Sequence, residues 1–143
     1  MAQAYLGSAF YARRRLSVLD GRLEQLRSVA ERITAAPTEE PGGSAVRHDP
    51  MAEAASKAAD LSQRIQQQQI ALLAAWENVS LVIDAVADER QRELLDRRYL
   101  QYQRWRQIER EMSYSERGVF RLHAAALSTV ISILKYRETQ RVQ

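Results

Sequence analysis

The sequence predicts an all-α fold: a long antiparallel helical hairpin, coiled-coil-like, followed by a small three-helix domain. Three observations carry this expectation. All three prolines of the 143-residue chain (Pro37, Pro41 and Pro50) fall in one interval, and there are only five glycines, so the remainder has few helix breakers. Two long stretches place apolar residues alternately three and four apart, the seam of a coiled coil. A third stretch, residues 104–127, holds two shorter amphipathic segments separated by Ser113, Tyr114 and Ser115.

The first long helix is expected from residue 3 to about residue 35. Its seam is Ala9, Ala12, Leu16, Leu19, Leu23, Leu26, Ala30 and Ile33, widened at the start by Tyr5, Leu6 and Phe10. The consecutive Arg13, Arg14 and Arg15 point in different directions on a helix, so they read first as a solvated face and only second as a nucleic-acid patch. Residues 37–50 form the expected flexible loop, with Gly42 and Gly43 at its middle and His48 near its end. Asp49 and Pro50 then restart the chain as N-cap and first helical residue.

The second long helix is expected over about residues 50–87. Ala54, Ala58, Leu61, Ile65, Gln68, Leu72, Ala75, Val79, Val82 and Val86 form its seam, and Ile70, Leu73, Trp76 and Ile83 form a second stripe. So wide an apolar face needs more than one neighbour. The first helix can cover one stripe; the other can meet the C-terminal domain or a second subunit. Gln68 interrupts the seam, either fixing register or lying at a tapering contact.

The pattern changes at Asp88. Three helices are expected at about 88–102, 104–112 and 115–136, giving a division into residues 1–87 for oligomerisation or partner binding and residues 88–143 as a second domain. Trp105, Ile108 and Met112 make one stripe. Ser115 is a good N-cap for the next helix, which keeps Val119, Leu122, Ala126 and Leu127 on one face. Two helices joined by so short a turn, the second basic at its start, describe a helix-turn-helix.

Charge agrees with that reading. Residues 1–87 hold nine Lys/Arg against ten Asp/Glu, whereas residues 88–143 hold twelve against eight, so the excess lies on the half with the helix-turn-helix. The absence of Cys removes disulfides and thiolate metal sites, and two histidines argue against an all-protein zinc site. The N-terminus lacks the charged-then-apolar order of a signal peptide, and no uncharged apolar run of about 18 residues occurs. The expectation is a soluble, intracellular protein without membrane contact. No nucleophile elbow, phosphate-cradling loop or metal motif is found, so neither an enzyme nor a cofactor is expected.

Residues 94–127 resemble the phage-encoded ArpU/RinA-type transcription regulators. The residues that carry this are Leu94-Leu95, Arg98-Tyr99, Trp105, Ile108, Met112, Tyr114-Ser115, Arg117, Val119, Arg121-Leu122-His123 and Ala126-Leu127. The same stretch is similar to region 4 of bacterial sigma factors, whose recognition helix ends in a comparable Ala-x-Ala-Leu pattern. The likeness covers about 35 residues closely and the remainder only in architecture. It implies a sequence-specific regulator of phage or prophage late-gene promoters in the bacterial cytoplasm, with RNA polymerase nearby. Ser115 would start the recognition helix, and Glu116, Arg117, Phe120 and Arg121 would face the major groove. Three positions depart from the pattern: Ser113 replaces a usual turn Gly, Glu109 a usual small Ala, and Gly118 a longer side chain.

Chemically, Arg117 and Arg121 lie one helical turn apart, and either can meet guanine O6 and N7 in a bidentate pair. Glu116 can accept from a cytosine amino group or favour its own helix N-terminus. Phe120 can touch a thymine methyl or pack at the core edge. Arg104 and Arg106 suit phosphates or a solvated face equally. The partners expected are double-stranded DNA and a second copy of the chain, a dimer first. Two other readings stand beside this one: a small-terminase-like packaging protein, which requires a ring-like oligomer, and a structural helical module that does not bind DNA.

Overall fold

A computed structural model describes residues 1–35 and 49–143. These are all-α: α1 Ala2–Leu6, α2 Ser8–Ala35, α3 Pro50–Asp84, α4 Glu89–Leu95 running into a π-helical turn Asp96–Leu100, α5 Trp105–Met112, and α6 Glu116–Val142. Apart from Asp49 and Pro50, the expected loop 37–50, with His48, lies outside the described residues. Asp49 caps α3 as its sequence position suggests, its Oδ1 accepting from the N–H groups of Met51 (3.0 Å) and Ala52 (3.3 Å).

The described chain divides into two compact units, Arg14–Ile70 and Met1–Arg13 with Ala71–Gln143. In the first unit α2 and α3 meet along their seams. Leu19, Leu61 and Ile65 are buried, flanked by Leu16, Leu23 and Leu26. The Thr34 hydroxyl reaches the Met51 sulfur, while Leu19 packs with Leu61 and Ile65. Rising positions on one helix meet falling positions on the other, so the two run antiparallel.

The second unit does not begin at residue 87, where the change of sequence pattern suggests a boundary. Ala2, Leu6 and Ala9 are buried together with Val79, Val82, Ile83, Val86, Leu95, Tyr99, Ala126 and Val130. The beginning of the chain and the end of α3 are therefore part of the core on which α4 and α6 rest. This covers Ile83 of the second α3 stripe but leaves Leu73 and Trp76 58% and 41% exposed. Within the other unit, Ile70 of the same stripe is also exposed.

Helix α6 is long and apolar enough, by length and composition, to cross a membrane. Of its most apolar window 22% is buried, and Val119, Ala126 and Val130 are among the helix's buried residues. Arg117, Arg121, Lys135 and Arg137 lie along the same helix.

Candidate nucleic-acid interface

The junction of α5 and α6 is set by local backbone chemistry. Ser113 adopts a left-handed conformation, φ 58° and ψ 43°. That allows the Ser113 N–H to reach the Arg110 carbonyl (3.3 Å) and the Tyr114 N–H the Glu109 carbonyl (3.0 Å). These two bonds satisfy carbonyls that the end of a helix otherwise leaves unpaired. A side chain strains this conformation, and glycine does not. Ser113→Gly is therefore expected to stabilise the domain by about 0.5–1 kcal/mol in chemical denaturation, the left-handed penalty of roughly 1–2 kcal/mol less the entropy glycine loses, roughly 0.5–1 kcal/mol; an unchanged or lower midpoint would refute that account of the turn.

Ser115 opens α6 as expected from its sequence. It has extended backbone (φ −72°, ψ 162°), and its Oγ accepts from the Gly118 N–H at 3.0 Å. Gly118 has a packing reason. A Cβ there would stand 3.1 Å from Tyr114 Cδ1 and 3.2 Å from the capping Ser115 Oγ. Its bare Cα faces the turn, so a longer residue at this position would crowd the cap.

Three helices hold the junction together. Leu94 of α4, Ile108 of α5 and Val119 of α6 are buried in one cluster, with Trp105, Met112, Tyr114 and Leu122 around it. Arg90 donates to the Tyr114 hydroxyl at 2.7 Å. Arg97 reaches both Glu93 (3.0 Å) and Glu111, tying α4 to α5. Arg98 donates to the Gln103 carbonyl at 3.0 Å and lies 4.5 Å over the Trp105 ring. Arg92 donates to the Val86 carbonyl at 3.0 Å. These four arginines are used inside the fold.

A second set is not. Among the described residues, the side chains of Arg104, Arg106, Arg110, Arg117 and Arg121 enter no salt bridge, and all five are exposed. Glu116, Arg117, Phe120 and Arg121 line one shallow depression with Ala124. Arg106, Glu116 and Phe120 line a neighbouring groove with Trp105, Glu109 and Arg110. Arg110, at the end of α5, was not singled out from the sequence, because its membership depends on how α5 packs. Arg104 is separate. It precedes α5 without a side-chain capping bond and lines a different cavity with Arg98 and Tyr102.

Phe120 is 51% exposed, and its ring centroid lies 5.9 Å from that of Trp105. Glu109 is half-buried in the groove between α5 and α6, and the three-helix cluster beneath remains closed around Ile108.

His123 points inward. It is 8% exposed, its Nε2 lies 2.7 Å from the Tyr99 hydroxyl, and its ring meets Trp105 edge-on at 4.7 Å. Burial, with a further contribution from the Arg98 charge, holds its pKa below the ordinary 6.5. The unfolded chain therefore binds the proton more readily. The stability this group contributes is present above about pH 6.5 and is lost as pH falls through the lowered folded value. Denaturation midpoints are expected to fall between pH 7.5 and 5, and His123→Gln should flatten that slope; equal slopes would contradict it.

No protein-family model, curated protein or solved structure matches this chain.

Proposed function

We propose that the chain is a sequence-specific double-stranded DNA-binding regulator, with α5, the turn and α6 as its helix-turn-helix. The observation that carries this is the pairing of Arg117 and Arg121. They lie one turn apart on an exposed face, free of salt bridges among the described residues, beside a half-exposed Phe120 at the capped end of α6. Such a helix end can enter a major groove, where arginine forks read guanine edges and an apolar ring meets a thymine methyl. Arg106 and Arg110 on α5 are available for phosphates, the contacts that fix register. A lone helix-turn-helix with so modest a positive excess binds weakly, and the exposed Leu73 and Trp76 suit a second copy of the chain. On this reading the protein is a homodimer acting in the bacterial cytoplasm at phage or prophage late promoters, with RNA polymerase as a further partner and no enzymatic activity.

Selection of bound fragments from phage and host DNA by the purified protein tests this. Enrichment of one motif supports it, and twofold symmetry in that motif supports the dimer. Failure to retain any duplex at low salt would leave the structural-module reading in its place.

A further inference from the structure

A cavity of about 440 Å³ in the second compact unit is lined by Phe10, Tyr11, Arg98, Tyr99, Tyr102 and Arg104, together with Gln3 and Gly7. It is built by segments far apart in sequence: α1 and the start of α2, the π-helical turn, and the link before α5. None of its lining residues is acidic, and two are arginines. Its volume falls within the range of small-ligand sites.

The lining alternates flat aromatic and flat cationic groups. Phe10 meets Tyr11 edge-on at 5.7 Å and Tyr102 at 6.0 Å. The Arg13 guanidinium covers the Tyr102 ring at 4.5 Å. Tyr102 itself is held in the left-handed region, φ 58°. The hydrogen bonds from Gln103 N–H to the Arg97 carbonyl (2.9 Å) and from Arg98 to the Gln103 carbonyl (3.0 Å) fix the backbone just after it. That conformation is costly for a tyrosine, and here it presents the ring to the cavity. Tyr11 is 64% exposed at the rim, and Arg104 is exposed with no salt bridge among the described residues.

Such a lining selects on two counts. Exposed ring faces and edges favour a planar π-system, and a lining with arginine and no carboxylate favours an anion. A nucleotide satisfies both. We propose that this cavity binds one nucleotide, its base against the Tyr11 and Phe10 rings and its phosphate on Arg104. The ligand can be a free mononucleotide or one unit of a single strand, since both present the same chemistry. Its lining shares no residue with the depression on α6 proposed to read duplex DNA.

The test uses the full chain with two probes, thymidine monophosphate by calorimetry and a labelled short oligothymidylate by fluorescence anisotropy. Saturable binding of either supports the site. Binding of the oligomer alone assigns it to single strands, and binding of the monophosphate alone assigns it to free nucleotide. Tyr11→Ala is expected to weaken binding roughly 5- to 150-fold, the loss that follows removal of a stacking ring. Arg104→Gln should weaken binding of thymidine monophosphate while leaving that of uncharged thymidine, measured by calorimetry as a control, unchanged. Tyr11→Leu, which keeps apolar volume without a ring, replaces the alanine variant if that one does not fold. Retention of duplex DNA is measured in parallel, so failure of the duplex reading and failure of this one are read separately. No saturable binding of either probe, or binding unchanged in folded Tyr11 and Arg104 variants, overturns the proposal.

Discussion

Replacing Arg117 and Arg121 together by alanine is expected to abolish recognition of the selected duplex while helicity and melting stay at wild-type values. Both side chains are exposed, and neither is in a salt bridge among the described residues, so truncation removes no contact that holds the fold. Each bidentate arginine–guanine pair discriminates by roughly 1–3 kcal/mol, so each single variant should lose roughly 5- to 150-fold against the selected site. It should also relax preference at one base position rather than weaken all sequences alike. Arg106→Ala and Arg110→Ala are the contrast. Loss of a phosphate contact lowers affinity for every duplex and reduces the slope of log affinity against log salt by about 1 per charge removed. Mobility shifts across a salt series separate the two patterns. Undiminished binding by the Arg117 and Arg121 double variant would remove α6 as the reading helix.

The long helices were legible because their signal is local. Every seam position named from the three-and-four spacing, from Ala9 to Ile33 and from Ala54 to Val86, is buried or half-buried. The caps at Asp49 and Ser115 were legible for the same reason, since an N-cap bond spans only two or three residues. What the sequence hid is long-range. Nothing near Ala2, Leu6 and Ala9 announces that they share a core with Ala126 and Val130. The pattern break at Asp88 therefore suggested a boundary that the compact units do not follow.

The candidate site divides the same way. The exposed face of Arg117, Phe120 and Arg121 follows from helical spacing alone. Which arginines are free does not, because the answer depends on acids and rings brought from elsewhere: Glu111 for Arg97, Trp105 for Arg98, Tyr114 for Arg90. Gly118 shows the limit most clearly. From sequence it reads as the loss of a longer side chain, yet a Cβ there would crowd the Ser115 cap and the Tyr114 ring. Ser113 is the converse case, where the structure supplies a left-handed backbone that a glycine would adopt without strain.

The second large effect concerns stability. Ile108→Ala is expected to cost about 2–5 kcal/mol, the range for removing a large aliphatic side chain from a packed core. Ile108 is fully buried, and it is the buried residue of α5 in the cluster with Leu94 of α4 and Val119 of α6. Helix α5 has only eight residues, too few to be helical by its own propensity, so its order comes from this packing. If α6 reads duplex DNA as proposed, the variant should lose that binding although none of the exposed α6 residues has changed. Cause is separated from effect by Ile108→Val, expected to cost only about 0.5–1.5 kcal/mol and to keep binding at low temperature. Far-ultraviolet circular dichroism with urea supplies the midpoints, and the same samples supply the mobility shifts. If Ile108→Ala unfolds at the wild-type midpoint, the three-helix cluster does not hold α5. If it unfolds early yet binds normally, the presentation of α6 does not depend on α5.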